Sequence, residues 1–355
     1  MRFTKYHSLA DILAYPRMEE YLKVFYSDYL MEMFPVDLKE EPLALQEHVG
    51  KTPWEEPFSV IVDQLVDAAN MILDICENKT RRCISLWDEQ LLDWSLEKEK
   101  QGGKNQVFLL APVEIPIGEK KPAVIICPGG GYEAVCFSGE GTPMLHFMEA
   151  QGYRAFVLKY RVAPERYPAP QQDLALAVQY VRSHAKEYGI DPEDIMLIGS
   201  SAGGHLCASE AVLHEKIAVS LNAELAKSTP ERAEALQKVS ARPDKLCLCY
   251  PVISFAEEPH EGSFQSLTGG MEELRKALSV EELVTSDYPK TFVWACADDD
   301  CVPPSNARRM AEALEREGVL SMLRIYPSGG HGCGLAFSKS AAGWSHQMIG
   351  FMKNK

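Results

Sequence analysis

Three stretches of this 355-residue chain hold residue types that together could perform acyl transfer. The sharpest is Ile195-Met-Leu-Ile-Gly199-Ser200-Ser201-Ala202-Gly203-Gly204-His205, where a serine stands between two glycines, behind an apolar run and ahead of a helical pattern. This is the setting of a nucleophile elbow, whose serine has strained dihedrals and whose flanks must be small so that strand and helix can approach. Ser200 is a decoy. The turn presents the middle residue of Gly199-x-Ser201-x-Gly203, so Ser201 is the expected nucleophile.

A serine hydroxyl is a weak nucleophile near neutral pH and needs a general base that is itself oriented by a third group. In chains built around such an elbow, the acid and the histidine follow the serine. Two loops qualify, each after an apolar run: Ala297-Asp298-Asp299-Asp300-Cys301-Val302-Pro303 and Pro327-Ser328-Gly329-Gly330-His331-Gly332. His331, between glycines, has no helix-packing role and is the expected base. Among the three aspartates, Asp299 is favoured by its place three residues before Val302-Pro303, with Asp298 next; the others read as a solvated acidic turn.

The intermediate of acyl transfer carries a negative oxygen that needs backbone donors already in place. Ile125-Ile126-Cys127-Pro128-Gly129-Gly130-Gly131-Tyr132 supplies a strand followed by three glycines, so the expected donors are the amides of Gly130 or Gly131 together with that of Ala202. A phosphate-binding reading of the glycine run fails, since neither Gly-Lys-Ser/Thr nor a G-x-G-x-x-G with an acidic partner is present.

These loops need a scaffold, and the pattern around them provides one. Short apolar runs at 123–127, 155–158, 195–198, 246–250, 291–295 and 322–326 alternate with helical patterns at 171–188, 202–216, 305–318 and about 338–352. Runs of this length are what strands buried on both faces look like, and each parallel crossover needs a helix-sized connection. The expected fold class is α/β, a doubly wound and mostly parallel sheet. The interval 253–289 is longer than one crossover needs and reads as an insertion near the carboxyl ends of the strands.

Residues 1–104 read differently. Apolar positions at 58, 61, 62, 65, 66, 69, 72 and 73, and again from Met18 to Met33, follow helical spacing, with a Pro- and Glu-rich connector at 35–57. The chain thus divides into an N-terminal helical extension (1–104) and a catalytic domain (105–355). The apolar stripes of the extension are expected to meet either that domain or a second subunit.

With 36 Lys+Arg against 51 Asp+Glu, the net charge is −15, and the few basic pairs are isolated, which excludes a nucleic-acid partner. No stretch suits a signal peptide or a membrane span, so the expectation is a cytoplasmic protein with no membrane partner. The ten cysteines are expected to be thiols. Cys247-x-Cys249 alternates as in a strand, and without a second ligand pair it makes a poor zinc site. No metal and no cofactor is implied.

The set Pro128-Gly-Gly-Gly-Tyr132, Lys159-Tyr-Arg161-Val-Ala-Pro164, Tyr167-Pro168-Ala169-Pro170-x-x-Asp173, Gly-Ser-Ser201-Ala-Gly-Gly-His205, Asp299-x-x-Val-Pro303 and Gly-Gly-His331-Gly resembles α/β-hydrolase esterases related to the hormone-sensitive-lipase group. It looks closest to their acetylxylan or feruloyl esterase-like branch, and the resemblance runs over about residues 105–355. It implies an α/β-hydrolase fold, Ser201, Asp299 and His331 as the triad, and Gly130, Gly131 and Ala202 as oxyanion donors. Pro128 stands where the lipase group has His, a departure that points away from lipase-type substrates. Arg161 and Asp173 are expected to hold the fold.

The resulting expectation is a serine esterase acting on a small-molecule ester. Tyr132, Phe137, His205, His260 and the insertion are expected to frame the site, with Tyr132, His205 and His260 binding substrate. Without a long apolar lid, that frame favours short acyl groups on a polar alcohol such as a sugar. The rivals are an aminopeptidase or acyltransferase on the same residues and a non-catalytic binding protein of the same fold.

Overall fold

The computed structural model describes residues 2–16, 18–25, 44–47, 58–77, 80–92, 103–113, 118 and 120–354. The six apolar runs all become strands: β4 (Lys121–Cys127), β5 (Arg154–Lys159), β6 (Ile190–Ser200), β7 (Lys245–Cys249), β8 (Lys290–Cys296) and β9 (Ser321–Tyr326). They join three strands nearer the N-terminus, β1 (Arg81–Ser85), β2 (Gln90–Leu91) and β3 (Phe108–Pro112), in a nine-stranded sheet of order β2-β1-β3-β5-β4-β6-β7-β8-β9. From β5 through β9 every neighbouring pair is parallel. The β1–β2, β1–β3 and β3–β5 pairs are antiparallel.

After β4 the chain turns to one side for β5, then crosses to the other side of β4 for β6. Ligands of open α/β sheets bind at such a reversal, outside the carboxyl ends of the strands. Those two ends are Cys127, which opens the glycine run, and Ser200, which opens the elbow.

Helices cover both faces as the alternation requires: α4 (Thr142–Ala150), α5 (Ala169–Ser183), α6 (Ala202–Leu225), α8 (Ser305–Arg316) and α9 (Trp344–Lys353). In the insertion lie α7 (Glu261–Thr268) and a short helix at Glu273–Ala277. Arg161 and Asp173 form the expected buried pair: Arg161 Nε donates to both carboxylate oxygens at 3.0 and 2.9 Å, and Trp87 Nε1 donates to Asp173 at 2.8 Å.

The expected boundary at 104/105 is corrected. β1 lies wholly inside the supposed helical extension, yet its five residues pair with β3. It opens on two arginines, so no apolar run announces it. Arg81 is nonetheless buried and ion-paired with Glu149. β3 itself, Phe-Leu-Leu-Ala-Pro, is fully buried.

Before the sheet come α1 (Leu9–Leu13), α2 (Met18–Phe25) and α3 (Phe58–Cys76). Ser8 and Asp11 cap α1 reciprocally, each side chain taking the other's backbone amide. Residues 26–33 of the helix expected from Met18, and most of the connector at 35–57, lie outside the described residues. The stripes meet the domain: Met18, Leu22, Leu65, Ala69 and Ile72 are buried in the common core, and the Phe25 ring stands 5.8 Å from Phe108 and 5.0 Å from Phe137. Among the described residues no helix is long and apolar enough to cross a membrane.

Candidate active site

At the junction of β6 and α6, Ser201 has φ 53° and ψ −120°, a conformation that L-residues adopt only under constraint. The glycines on either side leave no room for a side chain. A Cβ at Gly199 would lie 2.2 Å from the Gly203 carbonyl oxygen, and one at Gly203 would lie 2.1 Å from the carbonyl oxygen of Cys127. Both clashes are with backbone, which cannot swing aside. Gly203→Ala is therefore expected to destabilise the protein by about 3 kcal/mol or more, measured as a lower midpoint of urea unfolding. A midpoint equal to that of the wild type would refute the steric account.

Two loops at the carboxyl ends of β8 and β9 converge on Ser201. His331 Nε2 lies 2.8 Å from Ser201 Oγ, and its Nδ1 lies 2.8 Å from Asp299 Oδ2. The other oxygen of Asp299 accepts the amides of Val302 at 2.9 Å and Cys301 at 3.1 Å, which fixes the carboxylate's orientation. A carboxylate facing Nδ1 favours the tautomer with its proton there, leaving Nε2 free to accept from the serine.

The adjacent aspartates have other surroundings. Asp298 turns to the histidine loop and accepts the amides of Gly330 at 2.9 Å and Gly329 at 3.1 Å, donors that hold its carboxyl below the usual range. Asp300 is exposed.

The glycine run beyond β4 curls over the serine. Gly130 has φ 124°, and a Cβ there would lie 2.3 Å from the carbonyl oxygen of Ala134. Gly131 follows at φ 63°, and Ala202 opens α6. Among the described residues, the amides of Gly130, Gly131 and Ala202 donate to no protein acceptor, so they are available to an incoming oxygen.

Beneath this turn lies a group that sequence reasoning passed over. Glu140 is buried, and its carboxylate accepts the Gly129 amide at 2.6 Å and the Tyr250 hydroxyl at 2.8 Å. Burial pushes its carboxyl up. The available signal was a lone acid within Phe137-Ser-Gly-Glu140-Gly-Thr-Pro143.

Two expected substrate contacts are corrected. Tyr132 and His205 are both fully buried: the Tyr132 hydroxyl meets His205 Nδ1 at 2.9 Å, and His205 Nε2 donates to the Leu278 carbonyl at 2.8 Å. Burial pushes His205 down to about 4, so near neutral pH the ring is uncharged and fastens α6 to the insertion. Phe137 is also turned inward, against Phe25 and Phe108.

His260 is half-buried and lies near His331 and Asp299. It precedes α7, and the Ser263 amide donates to its Nδ1 at 3.1 Å, so the neutral ring carries its proton on Nε2, 3.7 Å from Cys301 Sγ. Burial, with the charge of nearby His331, holds its pKa down.

All ten cysteines are free. Cys247 and Cys249 share a face, their sulfurs 3.9 Å apart, and among the described residues no group of three or more His, Cys, Asp or Glu could hold a metal ion.

A switch-point serine on an elbow, faced by a histidine and free amides on a mostly parallel sheet, defines an α/β hydrolase. Residues 114–314 match the BD-FAE family model, and the chain belongs to that family. Its relatives include proteins named as esterases and as a carboxylic ester hydrolase. The chain is 35% identical to the acetyl ester-xyloside bifunctional hydrolase of Caldicellulosiruptor lactoaceticus, with 69% of this chain and 89% of that one aligned at a TM-score of 0.61. It is 30% identical over 239 residues to the acetylxylan esterase of Xylanibacter ruminicola (65% of this chain, 44% of that protein). It is also 31% identical over 232 residues to endo-1,4-beta-xylanase B of Butyrivibrio fibrisolvens (64% and 34%). The chain thus spans less than half the length of these two curated relatives.

Proposed function

We propose that the protein is a serine esterase that works through an acyl-enzyme, with short-acyl esters of a sugar as its substrates. The observation that carries this reading is the unbroken line from Asp299 through His331 to Ser201, ending on an elbow beside unoccupied amides.

Ser201 Oγ attacks the ester carbonyl while His331 Nε2 takes its proton. Negative charge then builds on the carbonyl oxygen, where the amides of Ala202 and of Gly130 or Gly131 receive it, each such donor contributing about 3 kcal/mol to lowering the barrier. His331 returns the proton to the departing alcohol, and a water activated by the same nitrogen releases the acid. Asp299 keeps the ring in the working tautomer and stabilises the imidazolium. An alcohol leaves more readily than an amine, which favours esters over peptides.

Support for acetylated carbohydrate comes from the named substrates of the xylan- and xyloside-active relatives, and from His260, a half-buried polar ring near His331 and Asp299. Acetylated xylo-oligosaccharides should release acetate, and nitrophenyl acetate should exceed nitrophenyl octanoate in kcat/KM by at least about tenfold, the order of a pocket that excludes several methylenes. Faster hydrolysis of the octanoate, with no acetate released from the oligosaccharide, would overturn the substrate class while leaving the esterase reading intact.

A further inference from the structure

Glu140 belongs to a five-residue π-turn, Phe137–Gly141, directly ahead of α4. The extra residue of such a turn re-aims side chains and is often found beside functional sites. Here it drives a carboxylate into the interior, where an ion costs several kcal/mol unless its oxygens are well occupied. Each is occupied by a different part of the site. Oε2 takes the amide of Gly129, in the glycine run, and Oε1 takes the hydroxyl of Tyr250, at the end of β7.

Tyr250 extends the connection. Its hydroxyl oxygen accepts the Gly334 amide at 3.0 Å, three residues beyond His331, and its ring stands edge-on to the imidazole at 5.1 Å between centroids. The Gly129 peptide is confined from the other side as well, since a Cβ there would be 2.9 Å from both Ser201 Cβ and Glu140 Oε2. One buried carboxylate therefore bears on the glycine run that faces the serine and, through one hydroxyl, on the loop that brings the histidine.

We infer that Glu140 is a positioning residue that, with Tyr250, holds the oxyanion-donor loop and the His331 loop in register around Ser201. The inference rests on the serine-esterase reading. Neither residue hydrogen-bonds Ser201 Oγ or the His331 ring nitrogens, so both act through the geometry of others.

The test is a double-mutant cycle with Glu140→Gln and Tyr250→Phe on nitrophenyl acetate, with folding followed by circular dichroism and thermal unfolding. Gln keeps the shape and one acceptor but cannot accept from both Gly129 and Tyr250. Each single variant should lose about tenfold in kcat with KM within about twofold, and the double variant should lose much less than the product of the two, as residues in one network do. If E140Q fails to fold, Y250F, which removes one hydroxyl, carries the kcat-against-KM test alone. Folded single variants with kcat within twofold of wild type, or losses that multiply in the double variant, would overturn the inference. A wild-type protein that neither turns over the ester nor takes up a fluorophosphonate would instead overturn the esterase reading beneath it.

Discussion

Ser201→Ala should abolish hydrolysis of nitrophenyl acetate, with kcat falling by about 10^5-fold to 10^6-fold, while Ser200→Ala retains substantial activity. The size follows from removing the atom that attacks: what remains is the contribution of the amides and of binding, typically about 10^3-fold to 10^4-fold over water. Ser201 Oγ is 2.8 Å from the imidazole, and no such contact with His331 is made by Ser200, the last residue of β6. Alanine fits the elbow sterically, so S201A should fold, and mass spectrometry should find a fluorophosphonate adduct on Ser201 in the wild type and none in the variant. Loss of activity in S200A with activity kept in S201A would sink the assignment.

The second large effect concerns the acid. Asp299→Asn should reduce kcat by about 10^4-fold near neutral pH, because an amide facing Nδ1 can offer its NH2 group and so hold the wrong tautomer. Asp298→Asn changes a neighbouring carboxylate of the same loop and should cost far less. Its oxygens meet the amides of Gly329 and Gly330, and an asparagine oxygen can still accept from one of them. Measured kcat for the two variants separates the roles. Equal losses would mean that loop anchoring, and not the tautomer, dominates. D298N as the only damaging change would transfer the acid's role to Asp298.

How much of this was legible in the residue pattern depended on whether local rules or tertiary contacts decide an element. The buried runs of β4 to β8 could be read because strands covered on both faces need apolar side chains there, and edge strand β9 because Met322, Leu323, Ile325 and Tyr326 leave only Arg324 to interrupt its run. The elbow was legible because its two glycines answer a steric demand between near neighbours in the chain. β1 was not, because an antiparallel strand near the sheet edge tolerates Arg81, Arg82 and Ser85, and only its pairing with β3 makes it a strand.

The misreadings of Tyr132 and His205 share one cause. Both stand among the motif residues in sequence, yet packing sets where each side chain points, through the turn dihedrals for Tyr132 and through the buried face of α6 for His205. Tyr132 has φ 59° and is swung beneath the loop rather than over it. Glu140 escaped notice for the complementary reason, since an acid in a polar stretch looks solvated until the π-turn and Tyr250 are seen around it.

The antiparallel strands also separate the unit of likeness from the unit of folding. The segment that matches the family begins at residue 114, just past β3, so on its own it would lack β1, β2 and β3. β5 would then become a bare margin, with the backbone groups of Val157, Leu158 and Lys159 that face β3 left without partners along an apolar strand. Such a margin recruits other chains and leads to aggregation. The matched segment also ends before β9 and His331, so it is neither the whole sheet nor the whole site, and the preceding strands and helices are the hem that keeps this chain's sheet from unravelling into its neighbours.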